Sequence, residues 1–349
     1  MAPTLLSQKR LFMITSPRTG SNLFMHLLAL PEQPNTVCEE SNGYFFLPAI
    51  RHMRELGVIE RPYSEWTQEE RAELAGGFQE CFNKLYSHVD AAQADGKTVI
   101  VKEHSQFLVQ PTALMKFRSM PEDVASITDD PWRVQLPGTL CKEDKSNLPS
   151  LSPENDTLLP DAFLMTGLPT FLIRHPIRVF PSYYRTFVFF KDNNKGQMQE
   201  IQGLLSRMMT LRWTRRLYDW YKHMWLRVGA EACPQGPIIL DADDFMVSPQ
   251  LMGKYCRLVG LDESKLQFSW EPVDPEKVAK YEPARQRMRD TLMASSGIRK
   301  DKLAVNLELE VELEKWKEEF GVEQGLQIRD WVVEAMDDYT YLKSQRLRL

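Results

Sequence analysis

The chain is poor in cysteine and shows no cysteine pattern. Five cysteines, Cys38, Cys81, Cys141, Cys233 and Cys256, are scattered over 349 residues, odd in number and without a CxxC pair. That argues against a disulfide framework and a structural zinc site, and it favours a reducing compartment. A long apolar run is also missing. The longest, from about Ala162 to Ile173, is broken by Thr166, Gly167, Pro169 and Thr170, and it falls short of the ~20 residues that cross a bilayer. Positive charge is not in excess: 43 Lys and Arg stand against 48 Asp and Glu, a net charge of −5. Such a chain is a poor general binder of nucleic acid or of an anionic membrane, so an anionic ligand must be caught by a local basic site. The opening MAPTLLSQKRLFMITSPRTG does not have the order of a secretory signal, because Lys9 and Arg10 follow the short apolar stretch. The expectation is a cytoplasmic protein acting on a small molecule, with neither nucleic acid nor membrane as partner.

What is present is an ordinary globular mixture, 43% hydrophobic and 26% charged, which excludes wholesale disorder. At ~150 residues per domain the length allows about two domains or one large α/β domain. Four short apolar runs predict buried strands: Leu11 to Thr15, Thr98 to Val101, Thr170 to Ile173 and Pro237 to Leu240. Helical spacings lie between them. Trp66, Leu74, Phe78, Phe82 and Leu85 mark a helix within Ser64 to Asp90; Leu204, Met208, Leu211, Leu217, Trp220 and Met224 mark another within Glu200 to Ala230. Alternating strands and helices predict an α/β fold, a central and mostly parallel sheet flanked by helices, with ligands at the carboxyl ends of the strands.

Ser119 to Pro160 breaks this pattern with Pro, Ser, Asp and Asn and little periodicity. A stretch of that length is a functional element such as a lid, or disordered. The strand-and-helix pattern resumes at Thr170, so the expectation is one domain over residues 1–349 with an insertion at about 119–160. A helical C-terminal extension is expected over about 303–349. It contains the charged amphipathic stretch Leu307 to Phe320, a surface element that could serve as an oligomer contact. Asp241, Asp243 and Asp244 have no histidine near them in sequence, and no metal is expected.

Two passages carry chemistry. In the first, the strand Leu11 to Thr15 enters Ser16-Pro17-Arg18-Thr19-Gly20-Ser21-Asn22, followed by a helix with Leu23, Phe24, Leu27 and Leu28 on its apolar side. Strand, tight loop and helix aim backbone N–H groups at an anion. Gly20 lets the backbone approach closely, Arg18 adds a bidentate cation, and Ser21 and Asn22 add donors. The GxxxxGK[ST] signature is absent, which disfavours Mg-dependent NTPase chemistry. An ordinary turn with a solvated Arg18 fits this loop equally well. In the second passage, Arg174 stands just past a strand end, and Ser182 follows eight residues later, about two helical turns. A guanidinium and a hydroxyl converging there would hold a second phosphate; taken alone, an ion-paired Arg174 and a Ser182 that caps or decorates a helix are the better account.

Together the two passages resemble the sulfotransferases. SPRTGSN is similar to the 5′-phosphosulfate loop of that family, and RHPIRVFPSYY to its 3′-phosphate segment with the Arg-to-Ser spacing kept. Between them, Val101-Lys102-Glu103-His104 is similar to the Lys-x-His of cytosolic members, where His is the catalytic base. GPIILDADDF, then Ser248-Pro249 and Val259-Gly260-Leu261, continues the likeness, which spans roughly residues 9 to 302. The resemblance implies a three-layer, P-loop NTPase-like fold that binds 3′-phosphoadenosine 5′-phosphosulfate (PAPS). It implies transfer of a sulfuryl group to a hydroxyl or amine of a small, apolar acceptor. Arg18, Thr19, Gly20, Ser21 and Asn22 would hold the 5′ end of the donor, Arg174 and Ser182 the 3′ phosphate. Arg299 and Lys300 in SSGIRK would supply a further basic loop, although the fuller Gly-rich pattern is lacking.

The match departs from the family in places. Arg18 stands where cytosolic members carry Lys, and a guanidinium stabilises charge but does not easily donate a proton. Asn22 replaces a hydroxyl residue. The 70 residues from His104 to Arg174 exceed the usual gap; their irregular part is expected to cover the acceptor. His104 suits proton abstraction near neutral pH, yet Glu40 in Cys38-Glu39-Glu40-Ser41 lies where carbohydrate-type relatives carry a catalytic Glu. Lys102 could donate to the sulfonate or be a solvated strand-end lysine. Tyr44-Phe45-Phe46 and Phe187-Val188-Phe189-Phe190 could line an acceptor pocket or belong to the core. Other outcomes stay open: a biosynthetic, secondary-metabolic enzyme in which sulfation drives elimination or cyclisation, a fold that has lost its donor, a P-loop kinase or NTPase, or a nucleotide-binding protein without catalysis.

Overall fold

The computed structural model describes residues 10–39, 43–117, 132–137, 152–193, 205, 207–228 and 236–349. Five strands, β1 (Arg10–Thr15), β2 (Thr36–Cys38), β3 (Thr98–His104), β4 (Leu168–Ile173) and β5 (Ile238–Asp241), form one parallel sheet in the order β2-β3-β1-β4-β5. β2 was not predicted, because three half-buried residues at a sheet edge leave no apolar run to read. β3 extends beyond Val101 through Lys102-Glu103-His104. These polar residues are held as strand by pairing with β1, in the register Met13↔Lys102, Ile14↔Glu103 and Thr15↔His104.

The strands alternate their side chains between two apolar layers, as a buried parallel sheet requires. Leu11 and Met13 join Phe24 and Leu27 of α1 (Ser21–Leu27). Phe12 and Ile14 join Phe78 and Phe82 on the other face, with Phe46 and Met53 around α2 (Leu47–Glu55). Phe78 and Phe82 lie on α3 (Gln68–Ala94), which starts at a Thr67–Glu70 capping box, four residues later than its apolar spacing suggested. α4 (Pro176–Asn193) follows β4, and α5 (Arg212–Val228) begins after an interruption at Thr210. Met208, Leu211, Leu217, Trp220 and Met224 are buried as their periodicity predicts; Leu204 lies outside the described residues. α6 (Pro249–Val259) and α7 (Pro283–Met293) come after β5.

The C-terminal helices α8 (Leu309–Phe320), α9 (Val322–Glu334) and α10 (Met336–Ser344) are part of the core. Leu313, Trp316, Ile328 and Trp331 pack on Ile177 and Phe180 of α4, so Leu307 to Phe320 buries one face while Glu310, Glu314 and Glu318 stay exposed, as its amphipathic pattern predicts. From α10, Tyr339 donates to Asp241 at 2.7 Å, and Leu347 N–H donates to the Ile239 carbonyl at 2.8 Å. The acidic group at the end of β5 thus fastens the C-terminal part of the chain: Arg346 pairs with Asp244, and Asp243 accepts from Ala304 N–H at 2.9 Å. Among the described residues no group of His, Cys, Asp and Glu is arranged to hold a metal ion.

Of the expected insertion, 119–131 and 138–151 lie outside the described residues. The remainder is built into the core. Trp132 and Val134 are buried, Trp132 Nε1 donates to Tyr63 at 3.1 Å, and Asn155 Nδ2 donates to Asp161 at 2.7 Å. Cys38, Cys81 and Cys256 carry free thiols. No described helix is long and apolar enough to cross a membrane.

After β1 the chain lays β2 and β3 on one side of that strand, then β4 and β5 on the other. The strand order therefore reverses at β1, and the crevice beyond its carboxyl end is where such sheets bind ligands.

Candidate functional site

The loop that leaves β1 is shaped by two left-handed residues, Arg18 at φ +65° and Gly20 at φ +85°. A Cβ on Gly20 would meet only the Phe245 ring at 3.6 Å, so conformation rather than space selects glycine there. Thr19, expected among the phosphate ligands, turns inward: its hydroxyl donates to the Ser16 carbonyl at 2.8 Å and closes the turn. Ser16 is pinned in turn. Its Oγ lies 3.2 Å from Thr214 Oγ1 and accepts from Gln106 Nε2 at 3.1 Å, while Ser105 Oγ lies 2.9 Å from the same Thr214. This buried network ties the loop to the end of β3 and to α5.

The two basic passages converge. Arg18 Nε donates to Ser182 Oγ at 2.9 Å, and Arg174 donates to the Arg18 carbonyl at 3.3 Å. Arg174 is pulled down to about 10 by burial, which still leaves it charged at neutral pH. Its second amino group donates to the Lys302 carbonyl at 2.5 Å, and its buried Nε has no partner among the described atoms. Arg178, one helical turn on, donates to the Leu303 carbonyl at 3.0 Å from Nε. Arg18 reaches the Met288 carbonyl at 3.3 Å and Asn22 Nδ2 the same oxygen at 3.5 Å.

The other end of the site is built by the register of β1 and β3. Thr15 and His104 end their strands side by side, with Thr15 Oγ1 2.7 Å from His104 Nδ1. The Thr15 hydroxyl also lies 3.2 Å from the Glu103 carbonyl, which can only accept, so we assign its proton there. Its oxygen therefore accepts from Nδ1–H, and this pattern assigns the lone pair of His104 to Nε2. Burial, and then the charge of Lys102, holds the imidazole well below its ordinary protonation range.

Lys102 is not a solvated lysine. It is buried, its ammonium lies 3.3 Å from Asn22 Oδ1 and 4.5 Å from the Tyr44 ring centre, and burial lowers its pKa to about 7. Glu103 faces the opposite side of β3. It accepts from Phe46 N–H at 3.2 Å, and burial raises it to about 8.

One cavity of about 240 Å3 joins both ends. Arg18, Gly20, Ser21, Asn22, His104, Arg174, Ser182 and Arg299 border it, as the sequence suggested. Arg299 is nevertheless engaged by Asp301, with bonds of 2.8 and 3.0 Å. Lys300 is exposed and does not border the cavity. Glu40 lies outside the described residues.

Sequence reasoning missed Arg178, Trp270 and the run Met288 to Leu292 on α7; it had left Tyr44 open between an acceptor pocket and the core, and Tyr44 borders the cavity. Arg178 stood inside the RHPIR segment and could have been found there. Arg289 and its neighbours carried no signal, because α7 comes to the loop only through its packing with α1 and α4. The wall is strongly basic: Arg18, Arg174, Arg178, Arg185, Arg289, Arg299 and Lys302 surround it against the carboxylate of Asp290. A chain of net charge −5 has thus concentrated cations at the strand ends, the local anion site that its composition demanded.

No family model matches the chain. Two curated proteins do. The sulfotransferase ppzF of Metarhizium rileyi is 37% identical over 343 residues, covering 97% of this chain and 96% of that protein. The sulfotransferase ppzF of Metarhizium majus is 37% identical over 345 residues, covering 97% of each. Identity of that size along nearly the whole length of both chains, on a five-stranded parallel sheet with a basic cavity at its strand ends, means that the protein belongs to the sulfotransferase family.

Proposed function

We propose that the protein transfers a sulfuryl group from PAPS to a hydroxyl or amine of a small acceptor with an apolar body, and that it does so in the cytoplasm. The observation that carries this reading is the convergence of Arg18, Arg174 and Ser182 at one end of a cavity whose other end holds His104. The buried, unpartnered Nε of Arg174 fits an anionic oxygen, and the basic wall fits a donor with several negative charges.

Arg174 and Ser182 hold the 3′ phosphate of the donor; Arg18, Ser21 and Asn22 hold its 5′ end. When bound, the donor supplies an activated sulfuryl group. His104 Nε2 takes the acceptor proton as the new sulfur–oxygen or sulfur–nitrogen bond forms. The electron pair of the breaking bond stays on the departing bisphosphate, where Arg18 stabilises the charge. The rings of Tyr44 and Phe107, 4.3 and 5.0 Å from the imidazole, favour an acceptor with an apolar body and exclude water. The free thiols of Cys38, Cys81 and Cys256 fit a reducing compartment.

The test is product mass with isotopically labelled donor across a panel of small phenols, alcohols and amines. A product heavier by one labelled sulfonate is expected. An unsulfated, rearranged product that still requires the donor would mean that sulfation serves to create a leaving group. Turnover without any donor would overturn the proposal.

A further inference from the structure

Tyr44 stands where the donor loop meets the base, and in the reading above it serves only as an apolar wall that excludes water. Its φ is +74°, a left-handed backbone that a bulky residue adopts only where its surroundings impose it. They do so on several sides. Gly43, at φ +99°, passes so close over β3 that a Cβ there would lie 2.3 Å from the Lys102 carbonyl oxygen. Tyr44 N–H donates to that same carbonyl at 3.0 Å, and the Tyr44 carbonyl accepts from Leu47 N–H at 3.1 Å. Beneath them the Glu103 carboxyl group accepts from Phe46 N–H at 3.2 Å. The phenol ring is thereby laid against two side chains of β3, 4.3 Å from the His104 ring centre and 4.5 Å from the Lys102 ammonium. Its hydroxyl faces Ser21 in the first turn of α1, whose side chain favours the phenolate form.

We propose that Tyr44 is a positioning residue for sulfuryl transfer: it braces His104 and Lys102 and ties both to the donor loop through Ser21. The inference rests on the reading of His104 as the acceptor base. Strain at Tyr44 then has a purpose, since a relaxed backbone would swing the ring away from β3. With donor bound, the Tyr44 hydroxyl supports Ser21 as Ser21 turns to the 5′ phosphate. The ring meanwhile keeps water from the imidazole. The titratable groups facing His104 are Lys102 on its own strand and Tyr44 on the crossing segment; Thr15 of β1 and Phe107 bring no charge. Arg18 and Arg289 face Tyr44 itself, with Glu103 behind it.

Two variants separate bracing from packing. Tyr44→Phe keeps the ring and loses the tie to Ser21. Its KM for PAPS should rise on the order of 3–10-fold, the effect of one neutral hydrogen bond, with the acid limb of kcat and the thermal midpoint near those of the native protein. Tyr44→Leu removes the ring and admits water to His104. Its kcat should fall about 10-fold or more, and the acid limb should move up toward the ordinary imidazole range near pH ~6.5. Lys102, with a pKa of about 7, titrates close to that window, so the shift is assigned to His104 when it persists in the Lys102→Gln background. Should Tyr44→Leu fail to fold, the PAPS KM of Tyr44→Phe decides alone.

The inference is overturned if both variants keep native KM and pH profile, or lose thermal stability only. His104→Ala is measured alongside. If it retains native turnover, the base reading falls and this inference with it. If it is inactive while both Tyr44 variants match the native protein, the Tyr44 inference alone falls.

Discussion

Arg18 Nε donates to Ser182 Oγ at 2.9 Å across 164 residues of sequence. The left-handed backbone at Arg18 aims its guanidinium toward α4, and α4 presents Ser182 two turns from its start. One short contact therefore joins two passages that were each ambiguous alone, and the proposed bisphosphate site rests on it.

Arg174→Ala should weaken binding of adenosine 3′,5′-bisphosphate by ~1.5–3 kcal/mol, the range for a hydrogen bond to a charged group. Binding of adenosine 5′-monophosphate should stay near its native value. Titration calorimetry with both nucleotides checks this. Equal losses for the two would move Arg174 away from the 3′ phosphate.

His104→Ala should lower kcat by ~10²–10⁴-fold while nucleotide affinity is unchanged. Burial keeps the imidazole neutral well below its usual range, so the acid limb of the native rate profile should lie well below pH 6.5. Thr15→Val removes the acceptor for Nδ1–H and should cost about 10-fold in kcat, the order of one hydrogen bond; Thr15→Ser should restore it. A native acid limb at or above pH 6.5 would contradict the dry environment of His104.

Glu103 has a folded pKa raised to about 8 by burial. Its unfolded value is near 4.5, so the folded protein binds the extra proton between those two pH values, and stability falls as pH rises through them. Glu103→Gln keeps an acceptor for Phe46 N–H without a charge. Relative to the native protein it should gain stability from pH 5 to pH 8.5, on the order of 3 kcal/mol at the upper end. Urea midpoints at the two pH values test the sign; a gain that is the same at both would show that Glu103 ionises normally.

Tyr339→Phe removes the hydroxyl that donates to buried Asp241 at 2.7 Å. The loss should be ~1–3 kcal/mol of stability, the cost of an unsatisfied buried acceptor. Chemical denaturation measures it, and a change below ~0.5 kcal/mol would mean that water replaces the phenol.

Much of this protein was legible one segment at a time. The apolar runs of β1, β3, β4 and β5 declared a buried parallel sheet, because strands covered on both faces need little else than Val, Ile, Leu, Phe and Met. Arg18, Gly20, Ser21, Arg174, Ser182 and His104 were legible because loops at strand ends carry their chemistry in short local patterns, and all six border the cavity. Other features depended on which elements meet. Thr19 bonds its own turn, Lys102 is buried instead of solvated, and Arg299 is taken by Asp301. Tyr44 entered the site because Gly43 and Glu103 hold its backbone in a left-handed conformation, which no periodicity announces. α7 brought Met288 and Arg289 to a loop some 270 positions away in the chain. Composition and local pattern determine which residues can bind an anion or carry a proton. Only the packed sheet and its helices decide which of them share one cavity, since contacts between distant segments depend on shape and leave no mark on either segment alone.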